Sequence, residues 1–330
     1  MRATHWAGRK IERILLRFVG DSNTAIANLL AGDAQVATDA AIPQVTDALK
    51  GEWMQQRGGR VVHWPNTWRS TTVQHRPDLA SPPGILDARV RKSLAHTIDK
   101  ASINETVLGG DGILSETMIW SKSEWGAATN GLDATFSYDP RRAEQLMGEA
   151  GFQKGPDGTY AGPGGRFTGG LRTTAGADFE QEMLIMADGW RRVGFDIQES
   201  VVPAAQAQDN QVRATFPTLF TGNTNMGEPA LLNYTTSGIP RPENRWNGGN
   251  RGGWSNAAYD RLADEFNRTL ARPERVQQVA EMLRIYVEEL PSISLFFRAQ
   301  PLAHVAGLRG PATAAPESSL IWNIHEWEYQ

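Results

Sequence analysis

The spacing of apolar side chains predicts a chain in which helices alternate with strands. Apolar positions recur at helical spacing over residues 87–101, and Pro140 occupies the first position of a second predicted helix, where proline is favoured. A third predicted helix ends at Gly194, and residues 195–201 then alternate between apolar and polar as a strand does. Because helix followed by strand recurs along the chain, the predicted fold class is α/β.

Further strands and helices are predicted near the two ends of the chain and after Ser255. Residues 11–19 alternate and are rich in branched side chains, which predicts a strand, and a short helix follows up to Leu30. Residues 293–297 and 320–329 predict two strands near the C-terminus. Ser255 directly precedes an amphipathic helix, and we expect its side chain to cap that helix.

Composition is typical of a globular protein. The chain has 330 residues, of which 40% are hydrophobic and 21% charged, and its formal net charge is -4. Basic residues form no long run, so no nucleic acid is expected as a partner. No apolar stretch approaches the roughly 20 residues of a membrane-spanning helix, and the first residues lack the apolar segment of a secretion signal. The absence of cysteine excludes disulfides and thiolate chemistry.

Motifs for cofactor and metal chemistry are missing from the sequence. It contains no phosphate-binding loop of the form GxxxxGK[ST], no GxGxxG after a predicted strand and no HExxH. The six histidines are scattered singly, without the spacing of metal ligands. We therefore expect no cofactor and no metal site.

One short motif leaves a hydrolase as the alternative function. The sequence GWSNA at residues 253–257 resembles a nucleophile elbow with alanine in the last position, and a scattered histidine and aspartate could complete a triad with Ser255. Such a chain would be a serine-dependent carboxylic ester hydrolase. Capping of the following helix explains the same residues, and loss of turnover in Ser255→Ala would favour the nucleophile.

Four stretches resemble the bacterial solute-binding proteins of family 5, which serve importers for peptides and nickel. The longest is LDARVRKSLAHTIDKASI at residues 86–103, and two more are YDPRRAEQLMGEAGF at residues 138–152 and WSNAAYDRL at residues 254–262. The fourth combines residues 6–18 with residues 29–37, where Gln35 stands in place of the family's usual aspartate. The stretches follow the order of the family, so the chain is identified as a member of it.

The resemblance implies a two-lobed α/β architecture of the type II periplasmic-binding-protein kind. Residues 1–70 and 290–330 would form part of lobe I, and residues 71–289 would form lobe II, which grips the ligand. Lobe I would be incomplete, because the family's signal peptide and N-terminal region have no counterpart in this sequence. An apolar face would then be uncovered, and we expect the chain either to form a homo-oligomer through that face or to be a fragment of a longer protein.

The resemblance also implies a function in import. The protein would bind a small peptide-like, sugar-like or other organic solute between its lobes. It would deliver that solute to the membrane subunits of an ABC importer, in the periplasm or as a lipid-anchored protein outside the cytoplasmic membrane. Hinge closure around the solute, without bond chemistry, would be its mechanism.

Candidate ligand contacts lie in loops that the resemblance assigns to the binding cleft: Trp68, Trp120, Asn223, Asn225, Glu228, Arg245 and Trp246. Residues 221–229 resemble the family stretch Gly-Asp-x-x-Asp-Pro, whose first acid holds the amino group of a peptide. Here Asn223 replaces that acid, and Glu228 keeps the acid-proline pair. Since a buried ammonium needs a carboxylate, this departure argues against a standard peptide ligand. Asn223 and Asn225 could instead stabilise a turn.

Overall fold

The computed structural model describes residues 10–19, 21–38, 49–132, 135–311, 321 and 323–329. Within these ranges the helices are α1 (Ser22–Ala31), α2 (Ala88–His96), α3 (Lys100–Leu108), α4 (Pro140–Glu149), α5 (Ala177–Val193), α6 (Asn210–Ala214), α7 (Gly227–Asn233), α8 (Ala257–Arg268) and α9 (Arg272–Glu289). The strands are β1 (Val36–Ala37), β2 (Arg60–Val73), β3 (Ile113–Leu114), β4 (Gln153–Lys154), β5 (Tyr160–Gly162), β6 (Gly165–Arg166), β7 (Thr168–Thr174), β8 (Asp196–Val202), β9 (Leu219–Thr224), β10 (Ser292–His304), β11 (Leu308–Arg309) and β12 (Glu328–Tyr329). No helix in the described ranges is both long and apolar enough to cross a membrane.

The chain divides into two compact units. The first unit contains residues 1–66 and 299–330, and the second contains residues 67–298. Both long strands, β2 and β10, contribute residues to each unit. The predicted assignment of residues 1–70 with 290–330 and of residues 71–289 to two lobes stays a prediction.

The first unit is built from α1, a π-helical segment (Leu49–Gln56) and short strands. Asp21 caps α1 by accepting a hydrogen bond from the backbone N–H of Thr24, and the helix ends at Gly32, whose φ of 84° is readily adopted by glycine. β1 pairs with the end of β10 in an antiparallel register, and β11 pairs with β12 in the same way. Apolar side chains of α1, the π-helical segment and β10 form one small core.

The second unit is organised around a mixed sheet. β10, β2, β9, β7 and β8 are neighbours in that order, and β3 pairs with β10. β7 pairs in parallel with both β8 and β9, whereas β2 and β9 are antiparallel. The helix α5 connects β7 to β8, as a parallel pair requires a crossover. The strands β4, β5 and β6 form a separate small sheet in the glycine-rich stretch that precedes β7.

The core of the second unit packs helices α2 to α5 against this sheet. Val90 and Leu94 of α2, Met147 of α4 and Trp190 of α5 are fully buried in it. The Trp190 indole donates a hydrogen bond to the Leu94 carbonyl at 3.0 Å, which satisfies its buried N–H. The core includes Leu171 of β7 and Leu219 of β9, and the candidate site lies at the C-terminal ends of these two strands.

Three sequence-based expectations differ from the structure. Residues 11–19 are irregular and are not a strand, and several of their apolar side chains are exposed, because no strand pairs with them in the described ranges. The last strand is only β12, since a single helical turn at Ile324–Glu326 precedes it. Asn256, not Ser255, caps α8, because its side chain accepts hydrogen bonds from the backbone N–H groups of Ala258 and Tyr259. The α/β class is confirmed.

Candidate functional site

Two adjoining cavities open beside β9 in the second unit. Their volumes are about 250 Å³ and about 220 Å³. Five residues line both of them: Thr72, Arg213, Asn223, Thr224 and Arg251. Because they share these walls, the two cavities form one concave region that suits a small ligand.

β9 carries the central polar residue of this region. Asn223 lies opposite Arg69 in the antiparallel pairing of β9 with β2, and Thr224 lies opposite Trp68. The side-chain oxygen Oδ1 of Asn223 is buried and accepts no hydrogen bond from the described residues. A buried acceptor without a donor is costly, so this oxygen can accept a hydrogen bond from a ligand.

An aromatic wall backs the second cavity. Trp68 and Tyr234 line it, with their ring centroids 6.4 Å apart, and the Tyr286 ring packs behind both. The Trp68 indole donates a hydrogen bond to the hydroxyl of Ser294 at 2.7 Å, and Trp68 is almost fully buried. The wall is therefore held in one orientation and forms the apolar side of the second cavity.

Arg213 and Arg251 supply the only formal charges among the described residues lining the two cavities, because no aspartate or glutamate of that set lines either one. Burial lowers the pKa of Arg213. Burial also lowers the pKa of Arg251 to about 10, and the neighbouring charge of Arg213 acts in the same direction. Both guanidinium groups remain protonated at neutral pH, so the region is positively charged.

The backbone near these two arginines is held by Arg76. Its Nη1 donates hydrogen bonds to the carbonyls of Ala214 and Arg251, at 2.6 and 3.2 Å, and its Nη2 donates one to Pro240. Asn250 is buried and binds three further carbonyls of the same loop with its side-chain amide. Arg76 and Asn250 therefore fix the segment that presents Arg251.

A glycine in this loop is required by close backbone contact. A Cβ atom on Gly252 would lie 2.2 Å from the carbonyl oxygen of Val73, nearer than atoms can approach. The backbone of His75 donates a hydrogen bond to the Gly252 carbonyl at 2.7 Å. The glycine-rich sequence around Arg251 thus serves to bring the loop against β2.

Three of the predicted ligand contacts line the cavities and four do not. Trp68, Asn223 and Asn225 line the second cavity, and Asn223 also lines the first. Trp120 is buried in a loop and lines neither cavity. Glu228 forms an ion pair with Arg275 at 3.2 Å and lines neither cavity.

The remaining two predicted contacts, Arg245 and Trp246, form the end of a tight turn outside the cavity walls. Both adopt left-handed backbone conformations, with φ of 56° and 59°. The backbone N–H of Trp246 donates a hydrogen bond to the carbonyl of Arg241. The role of these two residues in ligand binding stays a prediction.

Arg213, Arg251 and Arg76 were missed by reasoning from the sequence. Arg213 lies in the short polar helix α6, and such arginines usually face solvent. Arg251 stands alone in the run GGNRGG at residues 248–253, and a single cation inside a glycine-rich run was the available signal. Only the fold brings the two arginines to one cavity wall.

Ser255 has no catalytic base among the described residues. Its exposed hydroxyl shares a hydrogen bond with the hydroxyl of Thr236 at 2.7 Å, and no histidine lies within hydrogen-bond distance of it in the described part of the chain. The hydrolase interpretation therefore has no nucleophile and base pair at this position. In the same ranges, no group of three or more side chains of the types that bind metals lies close enough to hold an ion.

Three known proteins are similar to this chain in sequence or in structure. The chain is 22% identical over 327 residues to the oligopeptide-binding protein AppA of Bacillus subtilis (strain 168), covering 96% of this chain and 56% of that protein. The oligopeptide binding protein from Thermus thermophilus, complexed with pentapeptide, has a similar structure, with a TM-score of 0.70, 20% identity and coverage of 95% of this chain and 56% of that one. HbpA2 from Haemophilus parasuis gives a TM-score of 0.74 at 15% identity, covering 98% of this chain and 59% of that one.

These similarities define the fold and its extent. The chain spans a little over half the length of each of these relatives, so it has part of the α/β fold of the type II periplasmic binding proteins. The model of the family described as bacterial extracellular solute-binding proteins, family 5 Middle, matches residues 2–238. The chain therefore belongs to the bacterial extracellular solute-binding proteins of family 5.

Proposed function

We propose that this chain binds a small organic solute in the concave region beside β9, as the solute-binding component of an ABC importer. The observation that carries the proposal is the pair of adjoining cavities with the buried, unsatisfied oxygen of Asn223 in their shared wall. A small ligand with a hydrogen-bond donor would satisfy that oxygen, and its apolar part would contact Trp68.

Relatives support the same function. AppA is named an oligopeptide-binding protein, and the Thermus protein was solved with a pentapeptide. On this basis the partners of the full-length protein are a solute and the membrane subunits of an importer, and it acts outside the cytoplasm. The solute need not be a peptide, since the described residues lining the cavities lack the carboxylate that a peptide amino group requires.

A cavity-filling variant tests the proposed site. Gly222 lines the first cavity, and a Cβ atom there would meet only Phe220, at 3.5 Å, so Gly222→Leu adds volume without a backbone clash. We expect Gly222→Leu to abolish solute binding and to keep the fold. Gly148→Leu is the matched control, because a Cβ atom on Gly148 meets no atom within 4 Å and Gly148 lies in α4, which contributes no residue to either cavity wall.

The assay is native mass spectrometry with mixed short peptides, oligosaccharides and organic acids, followed by calorimetric titration of each solute retained. Retention by the unaltered chain and by Gly148→Leu, but not by Gly222→Leu, is the expected result. Equal retention by all three proteins would contradict the proposed site. Failure of every solute class to bind a correctly folded chain would contradict the function.

We also propose that this chain, unless it is a fragment of a longer protein, forms a homo-oligomer through an exposed apolar segment of the first unit. Leu15 and Phe18 are 77% and 95% exposed, and Ile14 and Leu16 beside them are 50% and 68% exposed. Contiguous apolar surface of this kind favours association. In light scattering we expect Leu15→Glu with Phe18→Glu to lower the measured mass to that of a monomer, whereas Leu270→Glu, at an exposed site in the second unit, should not. A monomeric mass for the unaltered chain would refute the proposed homo-oligomer.

A further inference from the structure

The two arginines of the cavity walls have no carboxylate to pair with. Arg213 and Arg251 form no ion pair within 4.0 Å among the residues that the structure describes, and the one polar contact of the Arg213 side chain there is with the Gln208 amide oxygen at 3.5 Å. Arg69 and Arg275, also buried or partly buried in the second unit, pair with Glu182 and Glu228. Arg76 and Arg91 have no such ion pair there, but their guanidinium groups donate several hydrogen bonds to backbone carbonyls. Among the described residues, Arg251 has neither kind of partner and Arg213 has only the contact with Gln208.

Two like charges in one wall raise the free energy of the empty protein. Burial already disfavours each guanidinium, as the lowered pKa values of both groups indicate, and their mutual repulsion adds to this in a region of low dielectric. No acidic side chain of the described residues lines either cavity to offset these two charges. An anion bound between them would remove both penalties.

The backbone beside the two arginines is fixed by hydrogen bonds within the protein. Arg76 binds the carbonyl of Arg251 and that of Ala214, which directly follows Arg213. A backbone fixed in this way reduces the conformational freedom that the chain loses on binding.

We propose that Arg213 and Arg251 together hold an anionic oxygen group of the solute, a carboxylate or a phosphate, while Asn223 accepts a hydrogen bond from a neighbouring donor of the same molecule. Guanidinium groups are suited to this role because their fixed N–H donors match the spacing of carboxylate and phosphate oxygens. The inference rests on the proposed function, and it names the chemical class of the solute: an organic acid or a phosphorylated compound.

A titration with simple anions tests the arginine pair without knowledge of the solute. The thermal midpoint of the chain is measured in rising acetate, and separately in rising inorganic phosphate, with chloride lowered to keep the ionic strength constant. We expect at least one of these anions to raise the midpoint in the unaltered chain. Arg213→Gln and Arg251→Gln should lose that rise, and Arg192→Gln, an equal change of charge at a residue 71% exposed on α5, should keep it.

The variants are expected to fold, because each removes one of two mutually repelling charges. Their midpoints without anion should equal or exceed that of the unaltered chain. Arg213→Lys keeps the charge and should restore part of the anion response. A response to acetate alone would indicate a carboxylate on the solute, and a response to phosphate alone would indicate a phosphate group.

Two results would overturn the inference: no anion-dependent rise in the unaltered chain, or an equal rise in Arg213→Gln and Arg251→Gln. Failure of the proposed function is recognised separately, by the retention experiment with Gly222→Leu. For a solute found there, we expect at least a tenfold loss of affinity in Arg213→Gln and in Arg251→Gln. An unchanged affinity would leave the cavity as the binding site and refute the role of the arginines.

Discussion

The ion pair between Arg69 and Glu182 is the most consequential buried polar contact near the site. The two side chains are only 1% and 2% exposed, and Nε of Arg69 donates to both oxygens of Glu182, at 3.0 and 2.8 Å. The Thr221 hydroxyl donates a third hydrogen bond to that carboxylate at 2.7 Å. The pair joins α5 to β2 and β9, the two strands that carry Trp68 and Asn223. We predict that Glu182→Gln severely destabilises the second unit.

The magnitude follows from what the substitution leaves behind. Nη1 and Nη2 of Arg69 are already buried without hydrogen bonds to the described residues, and the guanidinium otherwise contacts the Phe179 ring, 4.3 Å from its centroid. Without the carboxylate, this charge is buried and uncompensated. Removing one partner of a buried ion pair lowers the free energy of unfolding by about 3–5 kcal/mol.

Urea denaturation followed by tryptophan fluorescence measures this change, with a surface ion pair as the control. Glu281 pairs with Arg284 on α9, where both side chains are more than half exposed, so Glu281→Gln should cost at most about 1 kcal/mol. Adding Arg69→Met to Glu182→Gln should recover much of the loss, because the unpaired charge is then gone. Equal costs for Glu182→Gln and Glu281→Gln would refute the reasoning.

Three further predictions concern single contacts of the second unit. Ser294→Ala removes the hydrogen-bond acceptor of the buried Trp68 indole, so urea denaturation should show a free energy of unfolding lower by about 1–3 kcal/mol. A decrease smaller than the error of the method would contradict the role of this hydrogen bond in holding Trp68. Asn256→Ala should lower the free energy of unfolding by about 0.5–2 kcal/mol while Ser255→Ala changes it little, and the reverse order would restore Ser255 as the cap. Burial lowers the pKa of His75 from 6.5 to about 3. Below pH 6.5 this histidine is therefore protonated in the unfolded chain and stays neutral in the folded chain, so the free energy of unfolding should fall by up to about 1.4 kcal/mol per pH unit. In His75→Gln the free energy of unfolding should fall less steeply between pH 7 and pH 5. Equal slopes in the variant and the unaltered chain would exclude His75 as the cause of the fall.

Helices with local signals were predictable from the sequence. Asp139 and Pro140 begin α4, and Asp139 accepts hydrogen bonds from two backbone N–H groups there. Gly194, with a φ of 111°, ends α5. Such starts and stops depend on a few neighbouring residues, so one sequence is enough to find them.

The long strand β2 was predictable only in pieces. From the sequence alone, residues 61–63 and residues 71–75 are two separate strand candidates. In the structure residues 60–73 form one strand, and Trp68 to Val73 pair with β9. Pairing with β9, which is distant in the sequence, stabilises β2 as one strand. The residues of β2 alone therefore do not predict its full length.

Three neutral residues of the cavity walls were predictable from the sequence, and the charged residues of those walls were not. Trp68, Asn223 and Asn225 stand in stretches that resemble known ligand-binding segments, and all three line the cavities. Arg213 and Arg251 lie 38 positions apart in the sequence, and Arg76, from a third segment, binds the backbone beside both. A constellation assembled by three distant segments leaves no local pattern.

A crystal structure of the chain with its tightest-bound solute tests the central claim most directly. The account predicts electron density for the solute in the region shared by the two cavities, with a donor within about 3.2 Å of Asn223 Oδ1 and an anionic group between Arg213 and Arg251. Density for the solute elsewhere on the chain, with this region left to water, would contradict it.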